Sequence, residues 1–207
     1  MHEKHYKLYV ISSPSGGGKT SLIKELFLDN ESKSLSLAVS DTTRKMRKGD
    51  RNGVDYNFLS NQEFNEKIEE DEYLEFAEVF DNFYGTSKKA VNTLLKNTNV
   101  LLELDWQGAY AVKKIYQEAS LIFLVPPSIA DLEERLKKRN LDSNEDIEKR
   151  VKEAKNEIKK CINFDYLILN DDFERALNEI KLIIFKNLEP KEFYSRVEED
   201  LLKSLVD

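Results

Sequence analysis

The chain has 207 residues, 40% of them hydrophobic and 34% charged, enough for one sizeable core in an α/β unit with insertions. A net charge of −7 argues against non-specific nucleic-acid binding, and no apolar run approaches the ~20 residues that cross a bilayer. Cys161 is the one cysteine, which excludes an intramolecular disulfide. With no apolar leader in residues 1–12, the expectation is a cytoplasmic protein with no membrane and no nucleic-acid partner.

Residues 7–12 (KLYVIS) read as a buried strand, followed by a glycine-rich turn. Residues 20–28 then carry Leu22, Ile23, Leu26 and Phe27 at helical spacing. Residues 36–85 hold short strand patterns (LAVS, DYNFLS, YLEFAEVF), which predict a small insertion with its own mixed sheet. Residues 100–104 (VLLEL) form a second buried strand with acids at its end, and residues 107–117 have helical spacing. Residues 121–125 (LIFLV) are a third strand, stopped by Pro126 and Pro127.

Residues 128–163 are almost entirely charged helix. Ser128 with Asp131, and Ser143 with Asp146, have the spacing of capping boxes and predict two helix starts. Cys161, near Ile158, Ile162 and Phe164, reads as a small buried hydrophobe. Residues 166–169 are a fourth strand, and residues 190–207 read as one amphipathic helix. His2 and His5 lie at the chain end, so no histidine metal site is expected. Strands alternating with helices predict a mostly parallel sheet flanked by helices, with sites gathered beyond the strands' carboxyl ends.

The strongest chemical signal is Ser13-Pro14-Ser15-Gly16-Gly17-Gly18-Lys19-Thr20. It fits the phosphate-loop pattern GxxxxGK[ST] except that Ser13 replaces the first glycine. Three glycines let successive backbone N–H groups turn inward as an anion nest, and the next helix adds its positive N-terminus. Lys19 can reach the β- and γ-phosphates of a nucleotide, and the Thr20 hydroxyl can bind Mg²⁺. A flexible glycine turn is the bland alternative, but glycines followed by Lys-Thr between strand and helix ask for more. The loop alone leaves GTPases, ATPases and small kinases open.

Further segments narrow the choice. Val39-Ser40-Asp41-Thr42-Thr43-Arg44-Lys45-Met46-Arg47 resembles the VSxTTRxxR segment of guanylate kinases. Gly53-Val54-Asp55-Tyr56-Asn57-Phe58 is similar to that family's GxxYxF. Phe76-Ala77-Glu78-Val79, with Asn82-Phe83-Tyr84-Gly85-Thr86 after it, resembles AEV…NYYGT. Leu104-Asp105-Trp106-Gln107-Gly108 and Leu169-Asn170-Asp171-Asp172 resemble two strand-end motifs of the same family. The matches keep their order from Tyr9 to about Phe185.

The resemblance implies an α/β fold of the P-loop NTPase type: a mostly parallel sheet flanked by helices, a small mixed-sheet insertion and a helical lid. It implies a core of residues 1–35, 88–127 and 164–207, a GMP-binding part over residues 36–87 and a lid over residues 128–163. The implied reaction is Mg²⁺-dependent transfer of the ATP γ-phosphoryl group to GMP or dGMP, within purine nucleotide metabolism. The implied partners are ATP and GMP, with the chain acting as a monomer or homodimer. ATP would be held by Ser13, Pro14, Ser15, Gly16, Gly17, Gly18, Lys19 and Thr20, with Arg135 and Arg139 on the lid and Asn170 touching adenine. GMP would meet Ser40, Arg44, Arg47, Tyr56, Glu75, Tyr84, Thr86 and Asp105. Lys19, Arg44, Arg139 and Arg150 would be the catalytic set. Thr20 would bind Mg²⁺, with Glu103 or Asp105 holding its waters.

The residue chemistry agrees. A monophosphate carries about two negative charges near neutral pH. The island of Arg44, Lys45, Arg47, Lys48 and Arg51, against Asp50, can receive it, and arginines do so bidentately. Guanine offers N1–H and N2–H₂ donors side by side, and one carboxylate, Glu75, can accept both. Arg135 and Arg139 are four apart on one helix face. The simple alternatives are a solvated basic face for the island, packing for the tyrosines and solvated helix surface for the lid arginines.

Three other functions compete. A scaffold domain of guanylate-kinase type would be expected to lose the phosphate loop and stand beside other domains, whereas Lys19 and Thr20 are present. A P-loop GTPase would need a guanine motif such as NKxD, which residues 169–172 (LNDD) do not supply. A kinase for AMP or a pyrimidine nucleotide would not need the paired acceptor of Glu75.

Overall fold

A computed structural model describes residues 6–79, 81–139 and 144–206, without the side chains of Arg139 and Asn144. The elements in order are β1 (Leu8–Ser12), α1 (Lys19–Leu26), β2 (Leu35–Leu37), β3 (Asp41–Thr42), β4 (Asn57–Phe58) and α2 (Asn61–Glu69). Then come β5 (Tyr73–Val79), β6 (Asn82–Ser87), α3 (Lys88–Leu94), β7 (Asn99–Glu103), α4 (Trp106–Ile115) and β8 (Ser120–Val125). The chain continues with α5 (Ile129–Arg139), α6 (Asn144–Ile158), β9 (Tyr166–Leu169), α7 (Phe173–Phe185) and α8 (Glu199–Val206).

Five parallel strands form the main sheet in the order β2-β7-β1-β8-β9. Its central strands are apolar on both faces because helices cover both. Val10, Leu102 and Phe123 point to a core shared with α3, α4 and α8, through Val91, Val112 and Leu205. Their neighbours Ile11, Leu101, Ile122 and Leu124 point the other way, onto Leu22 and Leu26 of α1 and Ile180 and Ile184 of α7. The alternation follows from the two-residue period of a strand.

A second sheet, β4-β3-β6-β5, is mixed: β3 and β4 run parallel, while β6 is antiparallel to both β3 and β5. It is anchored by Asp41, only 2% exposed. That carboxylate accepts from Lys67 Nζ at 2.7 Å, Tyr73 Oη at 2.9 Å and Asn57 Nδ2 at 2.8 Å, which offsets the cost of burying it. Phe64 of α2 stacks on Tyr73 and Phe83 at centroid distances of 4.5 and 5.5 Å. The Ser60–Glu63 capping box starts α2 by satisfying two backbone N–H groups reciprocally.

The pair α5–α6 has its own small core, formed by Leu132, Leu136, Ile147 and Ala154. Ser128 caps α5 as expected: its Oγ accepts the Asp131 N–H at 3.0 Å. Ser143, like His2 and His5, lies outside the described residues. Cys161 is buried in a short 3₁₀ turn.

Two expectations are corrected. The LAVS segment is not a strand of the insertion: Leu35–Leu37 pairs with β7 at the edge of the main sheet, and only Asp41–Thr42 joins the smaller one. The tail is not one helix either. Residues 190–192 form a 3₁₀ turn, residues 193–198 run without helix, and α8 starts at Glu199. Ser195 and Arg196 explain the break. Ser195 Oγ donates to the Leu167 carbonyl at 2.7 Å and Arg196 Nη2 to that of Leu169 at 2.8 Å, which holds this segment along β9. Arg196 also pairs with Asp171 and Glu179, each at 2.9 Å.

Candidate functional site

The glycine loop bridges β1 and α1 at the carboxyl end of the main sheet. Gly18 caps α1 in the left-handed region, with φ 91°, and a Cβ there would lie 2.5 Å from Asn170 Nδ2. Glycine is therefore required twice over, for conformation and for space. Asn170 Nδ2 donates to the Gly17 carbonyl at 2.7 Å, and the residue is only 5% exposed. The resemblance places Asn170 at adenine; in the structure its amide braces the loop from behind. Arg135 Nη2 donates to the Asn170 carbonyl at 3.0 Å, so Arg135 supports the same brace.

Two side chains of the loop reach the end of β7. Lys19 Nζ donates to the Leu104 carbonyl at 2.8 Å, and the Thr20 hydroxyl donates to Glu103 Oε1 at 2.7 Å. Parallel pairing sets this meeting, because Ile11 lies beside Glu103. From α6, Arg150 Nη1 donates to Ser15 Oγ at 3.0 Å. Arg139 closes α5, and its side chain lies outside the described residues.

One cleft of about 690 Å³ joins the loop to the smaller sheet. Ser13, Ser15, Lys19, Thr20 and Arg150 line one side; Ser40, Arg44, Arg47, Tyr56, Glu75 and Tyr84 line the other, with Glu103 and Asp105 between. Pro14, Gly16, Gly17 and Gly18 carry the loop backbone, with the Pro14 carbonyl accepting the Gly17 N–H at 2.8 Å. Thr86, Arg135 and Asn170 stand behind this lining.

The smaller sheet shapes its side of the cleft in advance. Arg44 pairs with Asp50 at 2.9 Å and lies 5.4 Å from the ring centroids of both Tyr56 and Phe58. The Arg47 backbone N–H and the Arg44 guanidinium hold the Asp50 carboxyl below its usual range, against the opposing effect of desolvation. Tyr56 and Tyr84 meet edge to face at 5.8 Å. Burial, with the nearby Glu103 charge, pushes the Tyr56 hydroxyl up to about 12, so it stays a neutral donor.

Glu75 is 8% exposed, and the Thr86 hydroxyl donates to its Oε1 at 2.6 Å. A register shift between Tyr73 and Glu75 turns this carboxylate to pair with Thr86. Gly108 makes room on α4, since a Cβ there would come within 2.8 Å of Glu75 Oε2. Burial pushes the Glu75 carboxyl up to about 7; the Thr86 hydrogen bond opposes this and the Asp105 charge adds to it. Asp105 spends Oδ1 on the Gly108 N–H at 2.8 Å, capping α4, so Glu103 rather than Asp105 engages Thr20.

Sequence reasoning missed Glu157, which lines the cleft from α6 beside Glu153 and Arg150. Its Oε2 is buried with no hydrogen-bond partner among the described residues. Burial pushes its carboxyl up to about 7, while Lys19 and the Ser15 backbone draw it down. The signal was a second stripe on the charged helix. Ile147, Val151, Ala154 and Ile158 make the apolar face, and Arg150, Glu153 and Glu157 repeat the same spacing one residue earlier. Among the described residues, no cluster of three histidine, cysteine or acidic side chains is arranged for a metal ion, and no helix is long and apolar enough to cross a membrane.

The guanylate kinase family model matches residues 5–187. The guanylate kinase of Hahella chejuensis is 48% identical over 178 residues, 86% of this chain and 85% of that one. That of Psychrobacter arcticus is 45% identical over 205 residues, 97% of this chain and 98% of its own. The crystal structure of guanylate kinase from Anaplasma phagocytophilum superposes with a TM-score of 0.72 at 32% identity, over 90% of this chain and 88% of that one. Loop, cleft, sheet order and sequence agree, and the chain belongs to the guanylate kinase family.

Proposed function

We propose that the cleft carries out the reaction of its family, transferring the γ-phosphoryl group of ATP to GMP to give ADP and GDP in purine nucleotide metabolism. The observation that carries this reading is a phosphate loop and a buried, glycine-backed carboxylate facing one cleft. Phosphoryl transfer needs in-line placement and positive charge more than covalent help. Lys19 and the loop N–H groups would take the β- and γ-phosphates of ATP, with Arg150 and Arg139 reaching from the lid. Arg44, Arg47, Tyr56 and Tyr84 would hold the GMP phosphate, Arg44 exchanging some of its contact with Asp50 for the ligand. Glu75, oriented by Thr86, would accept the N1–H and N2–H₂ of guanine, with Ser40 and Asp105 beside it. Asn170 and Arg135 would act through the loop they brace.

Thr20 and Glu103 present hard oxygens 2.7 Å apart beside the loop, a donor set that suits Mg²⁺ and its waters. Bound there with ATP, Mg²⁺ would neutralise charge on the phosphate oxygens. Residues 36–87 would close on GMP and residues 128–163 on ATP, excluding the water that would otherwise be phosphorylated. The protein would work in the cytoplasm, as monomer or homodimer.

A coupled assay with ATP and a panel of monophosphates tests the reading. GMP should be the preferred acceptor, with dGMP slower and AMP at least about 100-fold poorer in kcat/KM, because adenine offers the buried carboxylate no paired donors. Equal rates with AMP would remove Glu75 from the base site.

A further inference from the structure

α6 touches the phosphate loop through two side chains of opposite charge. Arg150 donates to Ser15 Oγ at 3.0 Å. Seven residues on, two helical turns along the same face, Glu157 lies in the same cleft, under the influence of the Ser15 backbone and the Lys19 ammonium. Its Oε2 is buried and has no hydrogen-bond partner among the described residues, although Glu157 belongs to a helix otherwise rich in solvated charge. A carboxylate is not buried half-satisfied without cost, so something must hold it there. The groups that bear on it are the groups a nucleotide polyphosphate uses: the lysine of the loop and an inward backbone N–H.

We propose that Glu157 is a positioning residue that holds the lid helix on the phosphate loop as an internal anion, and that the phosphates of the donor nucleotide displace it. The inference rests on the reading of the loop as the ATP site. Carboxylate and polyphosphate cannot share Lys19 without like-charge repulsion. ATP binding therefore expels Glu157 from the loop while drawing Arg150 toward the incoming phosphates. One face of α6 would thus trade an acid for a base as the lid engages. The charged groups bearing on Glu157 are Lys19 of α1, Asp105 ahead of α4, and Glu153 on its own helix. Arg150 lines the same cleft from α6, and Arg135 of α5 reaches the back of the loop, while Leu132 and Leu136 of α5 and Leu205 of α8 add apolar packing.

Calorimetric titration with ATP and ADP tests the proposal on the wild type, Glu157→Gln and a control, Glu148→Gln, which removes an equal charge from the exposed side of α6. At about pH 8 the Glu157→Gln protein should bind ATP about fivefold more tightly than the wild type, since the competing charge is gone. The gain should shrink by about pH 6, where the wild-type carboxyl is protonated and competes less. Titration of the nucleotide's own phosphate is common to all three proteins and cancels in the comparison. The control should follow the wild type at both pH values. In turnover, the KM for ATP should fall in Glu157→Gln while that for GMP holds. Equal or weaker ATP binding by Glu157→Gln at about pH 8 overturns the proposal, as does an equal gain in the control. A lower melting temperature with unaltered affinity makes Glu157 structural and also overturns it. If the wild type binds neither ATP nor ADP, the donor reading of the loop fails and the proposal falls with it.

Discussion

Two glutamates occupy opposite sides of one cleft, Glu75 buried and Glu157 half-buried, and desolvation raises both carboxyls to about 7. Glu75 is fixed: a hydroxyl 2.6 Å away orients it, a register shift aims it, and Gly108 leaves room behind it. Glu157 is not. It sits on a helix pair with a separate small core, and one of its oxygens has no hydrogen-bond partner among the described residues. The difference teaches that burial alone does not define a site. A desolvated carboxylate with its geometry fixed suits the reading of a ligand's donors, whereas one with an unmet oxygen suits exchange for another anion.

The donor side should be the more sensitive to loss of charge. Lys19→Ala removes the only loop ammonium and should lower kcat on the order of 10³-fold, read in a coupled ATP–GMP assay. Near-normal turnover would break the comparison at its stronger end. On the acceptor side, Glu75→Gln keeps the volume but replaces one acceptor with a donor that faces the donors of guanine. The expected result is a fall of about 100-fold in kcat/KM for GMP, mostly through KM, with ATP affinity unchanged. A matching loss of ATP affinity would mean that the two sides are not separable.

The smallest effect concerns pH. The folded carboxyl of Glu75 titrates near 7, above its ordinary value of 4.5, so the neutral form is favoured between those limits. Stability from this group is present at low pH and is lost as pH rises through about 7, while base reading requires the carboxylate. Guanosine, which has no phosphate to titrate, should therefore compete with GMP several-fold better at about pH 8 than at about pH 6. Glu75→Gln should flatten that slope. A slope that persists in the variant would assign the titration to another group.

Much of this was written in short-range pattern. The continuous apolar runs ending at Ser12, Glu103, Val125 and Leu169 mark strands covered on both faces, and the glycines before Lys19 mark the loop. What stayed hidden was non-local. Leu35–Leu37 is three residues long, and only its pairing with β7 makes it part of the main sheet. The tail has helical spacing throughout, but Arg196 gains three partners on β9, Asp171 and Glu179 by staying out of a helix. Asn170 follows a strand end, where ligands gather, yet its amide meets Gly17 across 153 residues of chain. Glu157 was masked by the many ordinary charges around it.

That tail segment has one further consequence. β9 is an outer strand, and the outer strand of a sheet offers unpaired backbone groups to any other chain that can add to it. Ser195 and Arg196 occupy the Leu167 and Leu169 carbonyls, alternate residues whose oxygens lie along one edge. At the opposite margin, β2 is only three residues long and so a poor template. Side chains thus seal one margin and brevity limits the other, which guards the folded chain against edge-to-edge aggregation. Losing Arg196 would show first as clumping in concentrated solution rather than as a failure of chemistry.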